Sequence, residues 1–498
     1  MTGGTATLEP DEISSETKNS ARWWALGVIA VAQLIVVLDA TIVTISLPFA
    51  QQDLGISDGN KQWVLTAYTL IFGGLLLLGG RLADYLGRRR VFIAGLVGFA
   101  LASALAGLAQ NGAQLFAGRG LQGAFAALLA PAALSLVSVT FTEAKERAKA
   151  FGVFAGVSAG GAAIGLIAGG ALTEYASWRW CLLVNTPIAL LAVLGALAFV
   201  VRDVPAPRTG GYDLPGAITG TLGLVAVVYG FSRAAEDGWL AASTLGLLAG
   251  GAVLLALFVF IEYRSSNPLL PLRIPGEINR GGSFLVALLV PIAMFAMFLN
   301  LSFYMQMTLG YSALKTGFAF MPFPLGITIS AGITSVLLPK LGPRPLMLAG
   351  AVLGASGLVY MAQLDFGSSY AAVVLPAMTL IALGMGPLFV CMQTTALHQV
   401  DDEDSGVASA LLNAAQQVGG SIGVALLTTI AVQAAERYAT DNPTVDNLAA
   451  RAAIHSYDVA FYLGAVFFVI AIPVIAFMIR DKPSNLLEGS ERPVHAGV

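Results

Sequence analysis

Apolar segments of about 20 residues recur along nearly the whole chain, and that length is enough for one helix to cross the hydrocarbon core of a bilayer. Inside a bilayer each backbone N–H and C=O must find its partner within the protein, so a spanning segment of this kind is helical. Only 11% of the 498 residues are charged, against roughly a quarter in an ordinary soluble domain. Most of the protein surface must therefore face lipid.

Charged or Pro/Gly-rich breaks divide the apolar sequence into fourteen predicted spans. They are 23–47, 62–80, 91–109, 114–138, 150–171, 180–201, 215–233, 243–263, 282–305, 316–338, 345–363, 370–394, 406–432 and 458–479. We therefore predict an all-α integral membrane protein with fourteen transmembrane helices.

The positive charges predict the orientation. If the N-terminus lies inside, most of the 26 Lys and Arg residues fall in inner loops or tails, as the positive-inside rule requires. The acidic run 401–404 lies on the inner side but does not change this orientation, because acidic residues contribute little to it. We interpret the run as a solvated loop in preference to a binding site. The first 22 residues are polar and acidic, unlike a secretory signal. We expect a multi-pass protein of the cytoplasmic membrane with both termini in the cytoplasm.

The spans group into two sets of six, with two spans between them. Leu86 and Gly87 follow the second span, and Leu341 and Gly342 follow the second span of the later set, a short repeat of the kind found in transporters with duplicated halves. The predicted division is a cytoplasmic tail at 1–22, an N-terminal six-helix bundle at 23–201, a linker with helices 7 and 8 at 202–264, a C-terminal six-helix bundle at 265–480 and a cytoplasmic tail at 481–498. Helices 7 and 8 are interpreted as an inserted hairpin.

The composition and the sequence motifs argue against several functional classes. The sequence pI near 5.7 and the absence of a basic patch argue against nucleic-acid binding. Cys181 and Cys391 lie in apolar runs and are interpreted as packing residues, and the three histidines lack metal-ligand spacing, so we expect neither a metal nor a cofactor. No P-loop is present. An intramembrane enzyme would need clustered catalytic groups that the spans do not show.

Two charged residues lie well inside predicted spans, Asp39 in the first and Arg119 in the fourth. Burying a charge in a bilayer costs about 2.5–3.5 kcal/mol on insertion scales. Gln122 follows Arg119 on the same helical face, and small residues beside it allow another helix to approach closely. These side chains either tie helices together or form a proton-coupling site in which Asp39 carries the proton. We favour the second interpretation, with a direct contact between Asp39 and Arg119 left open.

Glycine-containing runs mark two further features. The segment from Gly80 to Arg90 predicts a tight inner turn with Asp84, Gly87, Arg88 and Arg89 as parts of an inner-gate latch; an ordinary positive-inside loop is the competing interpretation. Four-residue glycine spacing in the fifth span predicts a smooth surface for a neighbouring helix, serving as packing or as a hinge. The glycines of this run on which we focus are Gly156, Gly165, Gly169 and Gly170.

Polar and aromatic residues of the later spans are candidates for lining a substrate cavity: Phe298, Tyr304, Gln306, Asn413 and Gln416. For each of them, packing between helices is an equally simple interpretation. Glu262 lies near an inner helix end and Asp365 in a loop, so no carboxylate is expected to be firmly embedded in the second half. Strongly dicationic substrates are therefore less expected.

These runs resemble signatures of the major facilitator superfamily, and specifically of its fourteen-helix drug:H⁺ antiporter family. The run Gly80–Arg90 resembles the signature between helices two and three, with Tyr85 in place of its usual arginine. The run that begins at Leu38 and Asp39 resembles the helix-one signature, with Thr44 where asparagine is usual.

Helices four and five carry further matches to this family. Leu115, Arg119, Gln122 and Gly123 match the helix-four signature, whose arginine is implicated in proton coupling. The glycines from Gly156 to Gly170 resemble the helix-five antiporter signature, with Leu166 in place of its proline. Similar stretches continue through Trp178–Trp180 with Asn185 and Pro187, 212–216, 304–322 and 406–423, so the resemblance covers nearly all spans.

The resemblance implies two six-helix bundles that rock around a central cavity, with the extra hairpin beside them. It also implies a monomeric carrier that exports small amphipathic compounds, often cationic or aromatic, in exchange for entering protons. Because Leu166 departs from the antiporter signature, a proton symporter stays open as a competing function. A dedicated exporter of one endogenous metabolite also stays open, as does a non-transporting membrane sensor.

Overall fold

The structure is a computed structural model that describes residues 10–141, 143–201, 213–365, 367–400 and 404–481, and these residues form helices and connecting turns without strands. Within these described ranges, fourteen segments are long and apolar enough to cross a membrane. In chain order, α1 to α14 are Arg22–Asp53, Trp63–Ala83, Arg88–Gly107, Gly112–Thr140, Lys149–Tyr175, Trp180–Phe199, Leu214–Ala234, Ala242–Arg264, Ile278–Thr308, Ala313–Leu341, Pro343–Met361, Tyr370–Leu397, Ser405–Asp441 and Leu448–Met478. The predicted fold class and number of spans are confirmed.

Because the number of spans is even, α1 begins and α14 ends on the same side of the membrane. We call this the terminal side and the opposite one the distal side. Several helices extend further than the sequence predicts: α1 continues through Pro48 to Asp53, and α14 begins at Leu448 instead of 458. Arg451 and His455 weaken the apolar signal at the start of α14, but a helix that projects beyond the hydrocarbon core keeps its internal hydrogen bonds.

The predicted inner turn at Gly80–Arg90 is much shorter than expected. The helix that contains α2 continues to Leu86 and α3 begins at Arg88, so Gly87 alone separates them, with φ of 95°. A residue with a side chain rarely adopts this φ. Gly342 separates α10 from α11 and has φ of 78°. Gly87 and Gly342, which belong to the short sequence repeat, therefore each form a one-residue turn with positive φ between two helices.

The helices pack in two groups, α1–α6 and α9–α14. In the first, α2 packs on α4 and α1 on α5; in the second, α9 packs on α13 and α11 on α12. One buried apolar cluster contains residues from both groups, among them Ile42 of α1 and Met297 of α9. The two groups therefore share part of their core.

The hairpin formed by α7 and α8 lies across the seam between α2 and α13. On the α2 side, Gln62 Nε2 and Trp63 Nε1 both donate to Ser232 Oγ, at 3.0 and 2.9 Å. On the α13 side, Thr429 Oγ1 donates to the carbonyl of Phe231 at 2.9 Å, and Gln433 Nε2 to that of Ala234 at 2.9 Å. The hairpin thus contacts both groups of helices.

Contacts between the two groups close the space between them on the distal side. Ser302 Oγ donates to the Thr44 carbonyl at 3.0 Å, and Gln306 Nε2 to the Ile45 carbonyl at 3.1 Å. The backbone N–H of Leu314 donates to Glu174 at 2.9 Å. We call these contacts, together with the packing of α5 on α10, the distal seal.

The terminal halves of α5 and α10 are more open. A Cβ atom built on Gly152, Gly156 or Gly160 of α5 meets no heavy atom within 4 Å, and the same is true of Gly332 in α10. The two helices that touch at the distal seal therefore leave open space around their terminal halves. The protein is closed on the distal side in this state.

Candidate functional site

The charge cluster is a set of polar side chains buried among the first six helices. Its members are Asp39 on α1, Tyr68 on α2, Ser103 on α3, Arg119 and Gln122 on α4, and Asn185 on α6. Each is at most 1% exposed to solvent. Asp39 is 14 residues from the distal end of α1, which corresponds to about 21 Å of helix, so it lies farther from that helix end than the predicted first span suggests.

Asp39 accepts hydrogen bonds from three side chains. Arg119 Nη1 lies 2.5 Å from its Oδ2, and Gln122 Nε2 lies 3.0 Å from its Oδ1. Asn185 Nδ2 lies 2.8 Å from the same Oδ1. Three donors match the ionised carboxylate, which only accepts hydrogen bonds.

Several contacts fix the orientation of Arg119. Nε donates to the Val64 carbonyl at 2.9 Å and Nη1 to Gln122 Oε1 at 2.8 Å, while Cζ lies 4.5 Å from the centroid of the Tyr68 ring. Nη2 is buried without a hydrogen-bond partner among the described residues. The guanidinium therefore neutralises Asp39 and leaves its Nη2 group unused as a donor.

The sequence of α4 explains why α2 can approach the cluster so closely. A Cβ atom on Gly123 would lie 2.3 Å from the Tyr68 carbonyl oxygen, a distance at which α2 and α4 would have to separate. The glycine therefore brings the Tyr68 ring and the Val64 carbonyl within reach of Arg119. Arg119 and Gln122 project together because they are three residues apart on the helix.

Sequence reasoning found three members of the cluster and did not assign the remaining three. Gln122 Nε2 also donates to Ser103 Oγ at 2.7 Å, and Asn185 is separated from Asp39 by 146 residues. Asn185 stands in an apolar run, where a polar side chain is costly and often functional. That signal could have identified Asn185, whereas a serine such as Ser103 is too common in helices to stand out.

The predicted inner-gate residues are only partly described. Gly80 lies inside α2 and faces Pro131 of α4, since a Cβ atom there would be 3.7 Å from that side chain. Arg89 Nη2 donates to the Leu197 carbonyl at 2.8 Å, which binds α3 to the end of α6 within the first group of helices. The side chain of Asp84 lies outside the described residues, and Arg88 begins α3.

The helix-five glycines face different neighbours. A Cβ atom on Gly165 would lie 2.0 Å from Thr41 Oγ1, and one on Gly169 would lie 2.8 Å from the Ile42 carbonyl, so both pack on α1. Gly170 faces α10, where a Cβ atom would be 2.6 Å from the Leu314 Cα. Gly156 faces open space. Of these four glycines, the three in the distal half of α5 are therefore needed for close packing.

The structure does not bring the five cavity candidates together. Tyr304 is fully buried, and its hydroxyl donates to the Ser368 carbonyl at 3.4 Å. In this state it packs inside the second group and does not line a cavity, which agrees with the packing interpretation. Gln306 belongs to the distal seal. Phe298 packs edge-on against Phe323, with ring centroids 4.9 Å apart.

The remaining two candidates lie on α13. Asn413 is exposed and Gln416 is half-buried, near the terminal half of a helix whose Gln417 packs on Gly73 of α2. Both are positioned close to the seam between the two groups of helices. They are the candidates that best fit an accessible surface in this state.

Asp458 is the carboxylate of the second half that bears on the expectation that none is firmly embedded there. Asp458 lies ten residues inside α14, half-buried, and its Oδ1 has no hydrogen-bond partner among the described residues. The part of α14 that follows Asp458 is by itself about long enough to cross the hydrocarbon core. Asp458 therefore lies near the edge of that core, and the expectation stays a prediction. Glu262 lies near the end of α8, as expected, and is 3% exposed.

Comparison with known proteins places this arrangement in a family. The model of the Major Facilitator Superfamily matches residues 29–424. The puromycin resistance protein Pur8 of Streptomyces alboniger is 48% identical over 464 residues, covering 93% of this chain and 92% of that protein. The cephamycin export protein CmcT of Amycolatopsis lactamdurans is 37% identical over 484 residues, covering 95% and 96%.

The fold also matches solved structures. A bacterial homologue of the human lysosomal transporter Spinster, in an inward-facing and unoccupied conformation, aligns with a TM-score of 0.64 at 14% identity, over 94% of this chain and 98% of that chain. At this identity the match describes the fold alone.

Proposed function

This chain belongs to the major facilitator superfamily, and on that premise we propose that it is a proton-coupled exporter that moves small amphipathic drugs or metabolites out of the cell while protons enter. Its family and its relatives are transporters and not enzymes. It acts as a monomer in the cytoplasmic membrane with the terminal side facing the cytoplasm, as the excess of Lys and Arg in the terminal-side loops favours.

The observation that carries the proposal is the buried pair of Asp39 and Arg119. As an ion pair they cancel each other's charge inside the membrane. A proton on Asp39 would leave Arg119 as a buried cation without its counter-ion, a state that costs several kcal/mol in a protein interior. Proton binding is therefore coupled to a rearrangement around α1 and α4, and Gln122 and Asn185 move with it because both bond to Asp39.

The distal seal supports an alternating cycle. In this state the helices touch on the distal side and leave space around their terminal halves, so a substrate would enter from the cytoplasm. Opening the seal would expose the space to the outside. Asn413 and Gln416 are the candidates for contacting the substrate before that step.

The names of the relatives indicate a class of substrate. Puromycin and cephamycin are antibiotics, and the relatives that carry these names are full-length matches to this chain. We propose puromycin as the first compound to test. Export of one dedicated metabolite is the second candidate, favoured by relatives named for a single product.

Transport by purified protein in liposomes tests the proposal. Radiolabelled puromycin is added outside liposomes with an acidic lumen, where exchange for lumenal protons should drive its accumulation by protein molecules of either orientation. Asp39→Asn should abolish the gradient-driven part while its thermal unfolding stays cooperative. Asp58→Asn is the matched control, because it removes a carboxylate from an exposed distal loop.

Two outcomes would overturn the mechanism. Unchanged gradient-driven transport by folded Asp39→Asn would remove Asp39 from proton coupling. Accumulation only when the outside is acidic would show symport instead of antiport. If puromycin gives no signal in either direction, a panel of the relatives' antibiotics decides between a broad and a dedicated exporter.

A further inference from the structure

Two buried carboxylates lie at the terminal-side end of the hairpin, far from the charge cluster. Asp213 immediately precedes α7 and is 7% exposed, and Glu262 lies in the last turn of α8 and is 3% exposed. We call them the hairpin carboxylate pair. The proposed transport mechanism uses neither of them.

Each carboxylate has one oxygen bonded and one oxygen without a partner. Asp213 Oδ1 accepts from the Gly216 N–H at 2.8 Å, and Glu262 Oε2 accepts from the Leu270 N–H at 3.0 Å. Asp213 Oδ2 and Glu262 Oε1 are buried and make no hydrogen bond with any described residue. A buried polar atom without a hydrogen-bond partner destabilises the folded protein unless a ligand supplies the missing bond.

Both carboxylates lie against the same side of Gly216. A Cβ atom built on Gly216 would lie 2.8 Å from Glu262 Oε1 and 3.0 Å from Asp213 Oδ1. These two oxygens are therefore no further than about 6 Å apart, a range in which like charges on two carboxylates strongly disfavour each other. Gly216 leaves room for both because it has no side chain.

Among the described residues, the neighbouring cations do not neutralise both charges. Arg81 lies within electrostatic range of Glu262, but its Nη2 donates to the Pro268 carbonyl at 2.9 Å. Arg264 stacks on the Phe260 ring, and Arg273 pairs with Asp404. Two carboxylates and one nearby guanidinium carry a net negative charge, and one added proton makes the group neutral.

We propose that Asp213 and Glu262 form a proton-binding site that holds one proton between them. One member is then a carboxylic acid and its neighbour a carboxylate, as in known buried carboxylate pairs that share a proton. The proton comes from water on the terminal side and returns to it, and no other bond is made or broken. The site is separate from Asp39 and does not depend on the proposed transport mechanism.

Proton loss from the pair would affect the segment that joins the hairpin to α9. Leu270 and Pro268 belong to this segment, and they are held by Glu262 and Arg81 respectively. A second negative charge would compete for Arg81 and weaken its bond to Pro268. The site would then make the attachment of this segment to α2 sensitive to pH on the terminal side.

Infrared spectroscopy of the purified full-length protein tests the proposal directly. A protonated carboxyl group gives a carbonyl band that shifts in heavy water, and the wild-type protein at neutral pH should show one such band that Glu262→Gln removes. Asp213→Asn should remove it as well, because without its charged neighbour Glu262 ionises. Asp237→Asn, which changes an exposed carboxylate at the opposite end of the hairpin, should leave the band unchanged.

Each competing arrangement gives a different spectrum. A band that persists in Asp213→Asn would mean that burial alone protonates Glu262, which overturns the shared site. A wild-type protein whose band appears only after metal cations are removed would assign the pair to a cation. If neither variant changes the spectrum, both groups are ionised and the proposal is wrong; if Glu262→Gln does not fold, Asp213→Asn alone decides.

Discussion

At the scale of single residues, the charge cluster shows how a membrane protein accommodates ions. Asp39 and Arg119 are both inaccessible to solvent, and each bonds to Gln122 as well as to its charged partner. A buried pair of this kind contributes little net stability compared with an apolar pair, but removing one partner leaves an uncompensated charge. The geometry therefore makes the two residues energetically dependent on each other.

The mutual dependence of Asp39 and Arg119 can be measured. Arg119→Gln leaves the Asp39 carboxylate buried without a cation and should destabilise the protein by about 3–5 kcal/mol. Adding Asp39→Asn to that variant should recover part of the loss, because no charge then remains. Thermal unfolding of the two single variants and the double variant in detergent gives the coupling free energy; strictly additive effects would contradict the pairing.

Glu277 gives a pH-dependent prediction outside the membrane spans. Partial burial would raise its pKa, but the N–H donors of Arg280 and Asn279 outweigh this effect and hold the pKa below its ordinary value of 4.5. The stabilisation is therefore present at neutral pH and is lost as the pH falls through the lowered pKa. Glu277→Gln should lower the melting temperature at neutral pH, and the difference from the wild type should shrink in acid. A difference that stays constant with pH would contradict this account.

At the scale of secondary-structure elements, α5 has two different halves. In the distal half, Gly165 and Gly169 allow contact with α1 and Gly170 allows contact with α10; in the terminal half, Gly152, Gly156 and Gly160 face open space. Small residues let helices approach closely in a membrane. One glycine-rich helix therefore holds the distal seal and leaves room on the terminal side.

Gly170→Ala should weaken the distal seal. Its methyl group would lie 2.6 Å from the Leu314 Cα and 2.7 Å from the Ala313 carbonyl oxygen, so α5 and α10 must separate. Overpacking costs about 1–3 kcal/mol, and each 1.4 kcal/mol shifts an equilibrium about tenfold. Spin labels at Asp58→Cys and Thr444→Cys, on distal loops of the two groups, should report a longer distance; the two native cysteines are buried and do not interfere.

Gly160→Ala is the control for that experiment. It makes the same substitution in the same helix, but its methyl group meets no heavy atom within 4 Å. The distance distribution should match that of the wild type. If both variants, or neither, changed the distance, the assignment of the seal to Gly170 would be refuted.

At the scale of the whole molecule, the hairpin contacts both groups of helices. It binds α2 through Ser232 and α13 through the carbonyls of Phe231 and Ala234. The same seam is held directly by Thr69 and Ser421, whose hydroxyls are 2.6 Å apart. Any rocking of the two groups relative to each other must therefore be accommodated by the hairpin, because the hairpin is bonded to both of them.

Ser232→Ala should loosen the hairpin from α2. The change leaves the buried Gln62 Nε2 and the Trp63 Nε1 without their acceptor, which should cost about 1–3 kcal/mol in thermal unfolding. Thr219→Ala is the matched control on α7, because the Thr219 hydroxyl bonds only to carbonyls of its own helix. Equal stabilities for the two variants would show that the contact with α2 contributes nothing.

The sequence by itself determined the membrane class, the fourteen spans and the burial of Asp39 and Arg119. These properties are local: span length follows from bilayer thickness, and a charge in an apolar run is costly wherever its partner lies. The start of α14 and the turn at Gly87 were misplaced because polar residues continue a helix beyond the hydrocarbon.

Only the tertiary structure decided which groups meet. It joined Asp39 to Asn185, buried Tyr304, moved Gln306 into the distal seal and brought Asp213 close to Glu262. Helices in a membrane are apolar both where they face lipid and where they face each other, so the sequence pattern does not show which side of a helix packs on which neighbour. Packing between helices distant in the sequence supplies that information.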